Sequence, residues 1–219
     1  MKDFSVKCCV LGMVSTNCYI VYKEEKEGAD GLKQGVIIDP GDNAPYILNR
    51  CRELEVRPKA ILLTHGHFDH ILAAEDIRRT FHIPVMASEE EVTLLEEPDL
   101  NLSASFGDAV SLTADRWLKD GETLDLIGRR WRVIHTPGHT AGCLCFYIQE
   151  EGILFSGDTL FRESVGRTDL PTASPSEIID SVVGKLWVLP EDTKVYPGHD
   201  EQTDIGHEKK YNVISRYRH

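Results

Sequence analysis

The 219-residue sequence contains no apolar run approaching the roughly 18–20 residues that a membrane-spanning helix needs. None of its six cysteines (Cys8, Cys9, Cys18, Cys51, Cys143 and Cys145) forms a C-x-x-C pair, so neither a zinc ribbon nor a dithiol redox motif is indicated. Positive charge is also scarce. The chain has 24 Lys and Arg against 36 Asp and Glu, a net charge of −12, whereas nucleic-acid binders usually carry a basic face. The basic pairs Arg78-Arg79, Arg129-Arg130 and Lys209-Lys210 are short and read as solvated element ends. The opening Met1-Lys2-Asp3-Phe4-Ser5 lacks the charged-then-apolar layout of a secretory signal. There is no low-complexity tract, fixed-period repeat or visible linker. These absences argue for a cytoplasmic protein with no nucleic-acid or membrane partner. With 41% hydrophobic and 27% charged residues, the chain can build one large domain with a full core, so residues 1–219 are read as a single domain.

The pattern of elements is mixed. Val6–Val10 and Cys18–Tyr22 read as strands flanking a Gly/Ser/Asn turn. The charged stretch 24–35 reads as a hairpin loop, and the apolar strand that follows ends in Asp39-Pro40-Gly41-Asp42, a strong turn signal. Helical spacing covers 44–55, with Ile47, Leu48, Cys51 and Leu54 on one face. Pro58 separates that helix from a strand over 60–63. A second helix is expected over 73–81 and a strand over 83–87, and Ser88 before Glu89-Glu90-Glu91 marks a helix start. Residues 98–117 read as a loop-rich insertion. Strands follow over 131–134, 143–148, 153–155 and 194–196. Ser174-Pro175-Ser176-Glu177 starts a helix running to about Leu186. Cys143 and Cys145 share one strand face and read as core packing. Strands with helices interspersed in both halves suggest a layered α/β sandwich.

The densest chemistry lies in Thr64-His65-Gly66-His67-Phe68-Asp69-His70, directly after a strand. Three imidazoles and a carboxylate in so short a stretch are costly to desolvate unpaired, and a divalent cation removes that cost. Imidazole and carboxylate suit zinc, iron or manganese. Three further strands end the same way, in Pro137-Gly138-His139-Thr140, Gly157-Asp158-Thr159 and Pro197-Gly198-His199-Asp200. Strand ends along one edge converge, and that edge is where α/β folds place their sites.

This set of residues resembles the metallo-β-lactamase superfamily. Thr136-Pro137-Gly138-His139-Thr140, Ser156-Gly157-Asp158-Thr159-Leu160-Phe161 and Val195-Tyr196-Pro197-Gly198-His199 look most like its glyoxalase II branch, the hydroxyacylglutathione hydrolases. The resemblance spans Asn17-Cys18-Tyr19 through His199. It implies a four-layer αββα sandwich with two divalent metal ions, most simply zinc, with iron or manganese as alternatives. His65, His67 and His139 would hold one ion, Asp69, His70 and His199 the other, and Asp158 would bridge them. Asp39 would orient ligand imidazoles. Full-length glyoxalase II enzymes add a C-terminal helical domain that is not expected here, so the chain looks like the short bacterial members. Arg167 falls where longer relatives place a Lys against glutathione and would bind substrate. His82, His135, His207 and His219 have no comparable context and read as structural.

The implied activity is cleavage of an acyl-thioester resembling S-lactoylglutathione. A water shared by the two ions would act as the nucleophile, and Asp69 would orient it or take its proton. Two rivals share the scaffold. One is a one-iron persulfide dioxygenase that uses His65 or a near neighbour, His139 and Asp158. The other is a lactonase. The acidic charge argues against an RNA-processing nuclease, and His67 stands where diiron oxygen or NO reductases usually carry Glu.

Overall fold

The computed structural model describes residues 3–27, 30–107 and 109–217. His219 lies outside them. Two six-stranded sheets stack face to face. The first runs β1 (Phe4–Leu11), β2 (Thr16–Glu27), β3 (Leu32–Ile38), β4 (Val56–Leu62), β5 (Val85–Ser88) and β6 (Arg116–Leu118), in that spatial order. Its first three strands are antiparallel, and β3 to β6 are parallel. Two helices, α1 (Ala44–Glu53) and α3 (Ala74–Phe81), lie in the β3–β4 and β4–β5 connections, and a one-turn helix α2 (Phe68–Ile71) precedes α3.

The second sheet is built from β7 (Thr123–Leu126), β8 (Arg129–His135), β9 (Leu144–Ile148), β10 (Ile153–Gly157), β13 (Lys194–Pro197) and β14 (Thr203–Asp204), in the order β14-β13-β10-β9-β8-β7. A short hairpin, β11 (Leu160–Phe161) and β12 (Ser164–Val165), leaves its edge just after β10.

Alternation along the strands sorts side chains into three apolar layers. On β2, Cys18 and Ile20 face α1 and α3, joining Ile37, Ile47, Cys51, Ile61 and Ile77. Tyr19 and Val21 face the other way and meet Val133, Phe146 and Phe155 of the second sheet between the two sheets. The outer face of the second sheet, with Ile134, Cys145 and Leu154, packs on Val182, Leu186 and Ile205. The result is the four-layer αββα sandwich.

Several local expectations change. The stretch 24–35 is mostly strand. β2 and β3 continue outward as a ribbon on which Lys33 pairs across the strands with Glu24, and Lys26 reaches Glu55 in the turn before β4, so its charges serve pairing. Pro58 lies inside β4, which starts at Val56. Its missing N–H coincides with a register shift between the Gly35–Pro58 and Ile37–Ile61 pairs. The insertion 98–117 contains a one-turn helix α5 (Ser103–Phe106) and most of edge strand β6. Buried Asn101 organises it: its Nδ2 donates to the carbonyls of Leu95 and Val110, and its Oδ1 accepts from Ser103 N. The helix expected to run to Leu186 is α6 (Pro175–Asp180), capped by Ser174, and it continues as a π-helical turn over Ser181–Leu186.

Candidate metal centre

His65, His67, Asp69 and His70 follow β4, with Asp69 and His70 on α2. His139 lies in the β8–β9 turn, Asp158 follows β10 and His199 follows β13. Parallel pairing of Phe155 with Tyr196 and of Gly157 with Pro197 brings Asp158 and His199 out side by side. All seven side chains meet at one edge of the sandwich. Within them, three groups have ligand atoms mutually within 4.8 Å: His65, His67 and His139; His65, His70 and Asp158; and Asp69, His70 and His199. Asp158 lies between the clusters. Its Oδ1 is 3.4 Å from His70 Nε2, and its Oδ2 is 3.4 Å from His139 Nε2 and 3.5 Å from His199 Nε2.

A second set of groups fixes the rings. Asp39 Oδ1 accepts from Thr64 N at 2.7 Å, and its Oδ2 accepts from Thr64 Oγ1 at 2.6 Å and lies 2.9 Å from His70 Nδ1. That holds the inner nitrogen of His70 and leaves Nε2 facing the cluster. The main-chain carbonyl of Arg167 does the same for His139, 2.9 Å from its Nδ1. The Arg167 guanidinium forms a two-pronged pair with Asp169 at 2.7 Å on each arm, in the lining of the cavity over the cluster. Thr16 Oγ1 donates to Asp69 Oδ2 at 2.6 Å.

Sequence reasoning missed three further supports. Glu91 is buried, 1% exposed, and accepts from Gly66 N, Gly142 N and Thr140 Oγ1 at 2.7–2.8 Å. One carboxylate therefore joins the loop carrying His65 and His67 to the loop carrying His139. Burial pushes its carboxyl up in pKa, against those three bonds. Asn17 donates through Nδ2 to the carbonyls of Pro197 and Asp200, and Tyr19 donates through its hydroxyl to Pro197, tying the His199 turn to β2. Gly198 lets that turn close on the site, since a Cβ there would lie 2.1 Å from Asp158 Oδ1 and 2.8 Å from His70 Cε1.

Among the described residues, seven buried side-chain polar atoms lack a hydrogen-bond partner, and four of them are here: Nε2 of His65, His67 and His70, and Oδ1 of Asp158. Such groups are rarely left unpaired without a ligand to take them. Burial, then the neighbouring imidazoles, holds His65 and His67 neutral, the form that ligates a cation, with His67 down to about 3. Burial alone would raise the Asp69 pKa, but His70, His199 and Thr16 outweigh it and hold the carboxyl well below the usual carboxylate range. His199 is pushed the other way, up to about 10, because Asp158 and Asp69 outweigh its burial. Neutral His65 and His67 with unpaired ligand atoms fit a divalent cation directly, and the ionised carboxylates that hold protons on His70 and His199 supply the negative charge that a cation would take up in their place.

The other histidines stand apart. His135 Nε2 bonds the Ala141 carbonyl, His207 bonds Glu163, and His82 ends α3 in a left-handed conformation at φ 55.

A two-sheet αββα sandwich with a His/Asp cluster at its edge is the architecture of the metallo-beta-lactamase fold. Residues 11–199 match the family model of the metallo-beta-lactamase superfamily, and the chain belongs to that superfamily. It is 36% identical over 199 residues to hydroxyacylglutathione hydrolase GloC of Haemophilus influenzae, covering 90% of this chain and 91% of that protein. Among solved structures it is similar to the BLEG-1 B3 metallo-beta-lactamase, with TM-score 0.89 and 38% identity over 96% of this chain and 99% of that one. It is also similar to TTHA1623 in a di-iron-bound form, with TM-score 0.82 and 36% identity over 95% and 100% of the two chains.

Proposed function

We propose that the chain is a binuclear metal-dependent hydrolase of acyl-thioesters, of the kind represented by S-lactoylglutathione. The observation that carries this is the donor set, because seven converging His and Asp side chains are more than one cation takes. In this reading His65, His67 and His139 hold one cation and Asp69, His70 and His199 hold the second. Asp158 serves both. Bound there, the two cations supply Lewis acidity toward the thioester carbonyl and a nucleophile at neutral pH. Zinc is the first candidate, and the di-iron relative keeps iron beside it.

The protein's own groups do the rest. Asp69 stays ionised despite its burial because His70 and His199 sit beside its Oδ2 and Thr16 donates to it, so it can orient the attacking water as an acceptor, while a carboxyl held this low is a weak base for taking its proton. Asp39 and the Arg167 carbonyl keep His70 and His139 in one tautomer. The leaving thiolate, with an ordinary pKa near ~8.5, needs little acid assistance. The thioester part of the reading draws on the name of the Haemophilus relative. The three continuous apolar layers support treating residues 1–219 as one domain. We place it in the cytoplasm, in keeping with six free cysteines. No described helix is long and apolar enough to cross a membrane.

The test is metal analysis paired with two assays: thiol release from S-lactoylglutathione without oxygen, and O₂ uptake with glutathione persulfide. Close to two transition-metal ions per chain and anaerobic thiol release are expected. At most one metal after saturation, or O₂ consumption by the iron-loaded protein without thioester cleavage under any metal, would overturn the reading in favour of the dioxygenase.

A further inference from the structure

The candidate metal cluster forms the floor of a cavity of about 410 Å³, reached by His67, Asp69, His139, Asp158 and His199. A cavity of this size suits a small molecule. The rest of its lining is mainly apolar: Val14, Phe68, Leu102, Phe106, Phe161 and Leu170 carry most of it. Phe68, between His67 and Asp69 in sequence, stacks on Phe106 with ring centroids 4.5 Å apart and planes within 8°. Phe161 meets the His199 ring edge-on at 6.0 Å, so aromatic surface flanks the cluster on two sides. At the rim, Val14 is 41% and Phe106 49% exposed, apolar surface left in water at the mouth of a polar floor.

Charge points the same way. Apart from the cluster itself, the one charged residue in the lining is Arg167, and Asp169 already holds its guanidinium in two hydrogen bonds. An anionic arm would have to displace Asp169 and approach a chain of net charge −12. A polar arm against the apolar walls would leave its own groups unpaired.

We propose that this cavity takes a thioester whose non-reacting arm is an uncharged hydrocarbon of medium length, laid between the Phe68–Phe106 stack and Phe161. The proposal rests on the hydrolase reading for the thioester bond alone and replaces the charged glutathione carrier with hydrocarbon, so S-lactoylglutathione serves as a probe of the bond and not of the arm. Hydrocarbon buried on these walls gains affinity with each methylene, and binding energy from an unreactive arm can be used at the reacting centre.

Two substrate series test it, on metal-loaded protein. Acetyl, butyryl, hexanoyl and octanoyl thioesters of one neutral carrier lengthen the acyl side. Acetyl thioesters of ethane-, butane- and hexanethiol lengthen the thiol side. In one series kcat/KM should climb about three- to fourfold per methylene until the cavity fills, and the series that climbs identifies which side of the bond the arm occupies. Calorimetric titration with the matching non-hydrolysable thioethers should give the same ladder in Kd. Phe106→Ala and Phe161→Ala should each flatten the ladder; Phe106 is half-exposed, so its truncation leaves the core intact. Flat ladders in both series and in both measurements would overturn the proposal. Cleavage with flat ladders sinks the apolar arm alone. A steep Kd ladder without cleavage of any member upholds the arm and sinks the hydrolase reading.

Discussion

The sheet β1–β6 delivers His65, His67, Asp69 and His70 from one short stretch after β4, whereas the sheet β7–β14 delivers His139, Asp158 and His199 from three separate strand ends. The first group is fixed by side-chain acceptors brought up from elsewhere, Asp39 behind His70 and Glu91 beneath Gly66. The second leans more on main chain: the Arg167 carbonyl on His139, the β10–β13 register that sets Asp158 beside His199, and the close approach of Gly198, with Glu91 on the His139 loop and Asn17 and Tyr19 on the His199 turn as its side-chain ties. A local cluster keeps its spacing whatever the rest of the fold does. A dispersed one exists only when the sheet is in register. The two halves of the site should therefore fail in different ways.

The largest effect is expected at the residue that belongs to both halves. Asp158→Ala should lower kcat/KM on the order of 10³-fold and leave at most one metal per chain. Wild-type rate and metal content in that variant would remove Asp158 from the centre. Glu91→Ala breaks the carboxylate link between the loop carrying His65 and His67 and the loop carrying His139. Metal affinity, read by chelator competition, should fall roughly 10–100-fold, with partial recovery in Glu91→Gln, whose carbonyl oxygen still accepts one N–H. Equal affinities in all three proteins would reduce Glu91 to a packing residue. Gly198→Ala tests the main-chain side. Its added methyl should lower stability by about 1–3 kcal/mol and weaken binding of one metal more than the other, because it presses on Asp158 and His70 while leaving the His65–His67–His139 group untouched. Uniform loss of both metals would mean that the Gly198 turn supports both metal groups alike, through Asp158. The smallest effect is expected at Arg167→Ala. An exposed ion pair is worth about 0–1 kcal/mol, so KM for an anionic thioester should rise no more than about threefold, with kcat unchanged. A tenfold rise would mean that Arg167 gives up Asp169 for substrate, and would count against an uncharged arm.

The same contrast explains what was legible in the sequence. His65 through His70 stand out because they are contiguous, and the other three candidates because each follows an apolar strand and a small residue. Strand and helix cores emerged from local pattern, since the continuous apolar run 18–22 of β2 and the 47/48/51/54 face beginning in α1 are local signals. What stayed hidden acts across space. Glu91 resembled a first-turn acid in Ser88-Glu89-Glu90-Glu91. Yet it precedes buried Leu94 and Leu95 by three and four residues, the spacing of one helical face, and an acid at the head of an apolar face was the available clue. Thr16 and Asn17 looked like turn residues. Pro58 looked like a boundary because a proline inside a strand is tolerated only where pairing is already irregular.

The ties from Asn17 and Tyr19 to the His199 turn also bear on how the molecule comes together. They join residues 180 and 178 positions apart. Contacts of such separation close late, because the entropy of the intervening chain must be overcome before they add stability. The turn carrying His199 is therefore expected to settle late, whereas the histidines that follow β4 are already close along the chain. Metal in the medium should then act chiefly on the unfolding arm of the kinetics: it binds what is already native, raises stability with concentration and slows escape from the folded state. In a cell starved of metal the protein would fold at much the same pace but open, and be degraded, sooner.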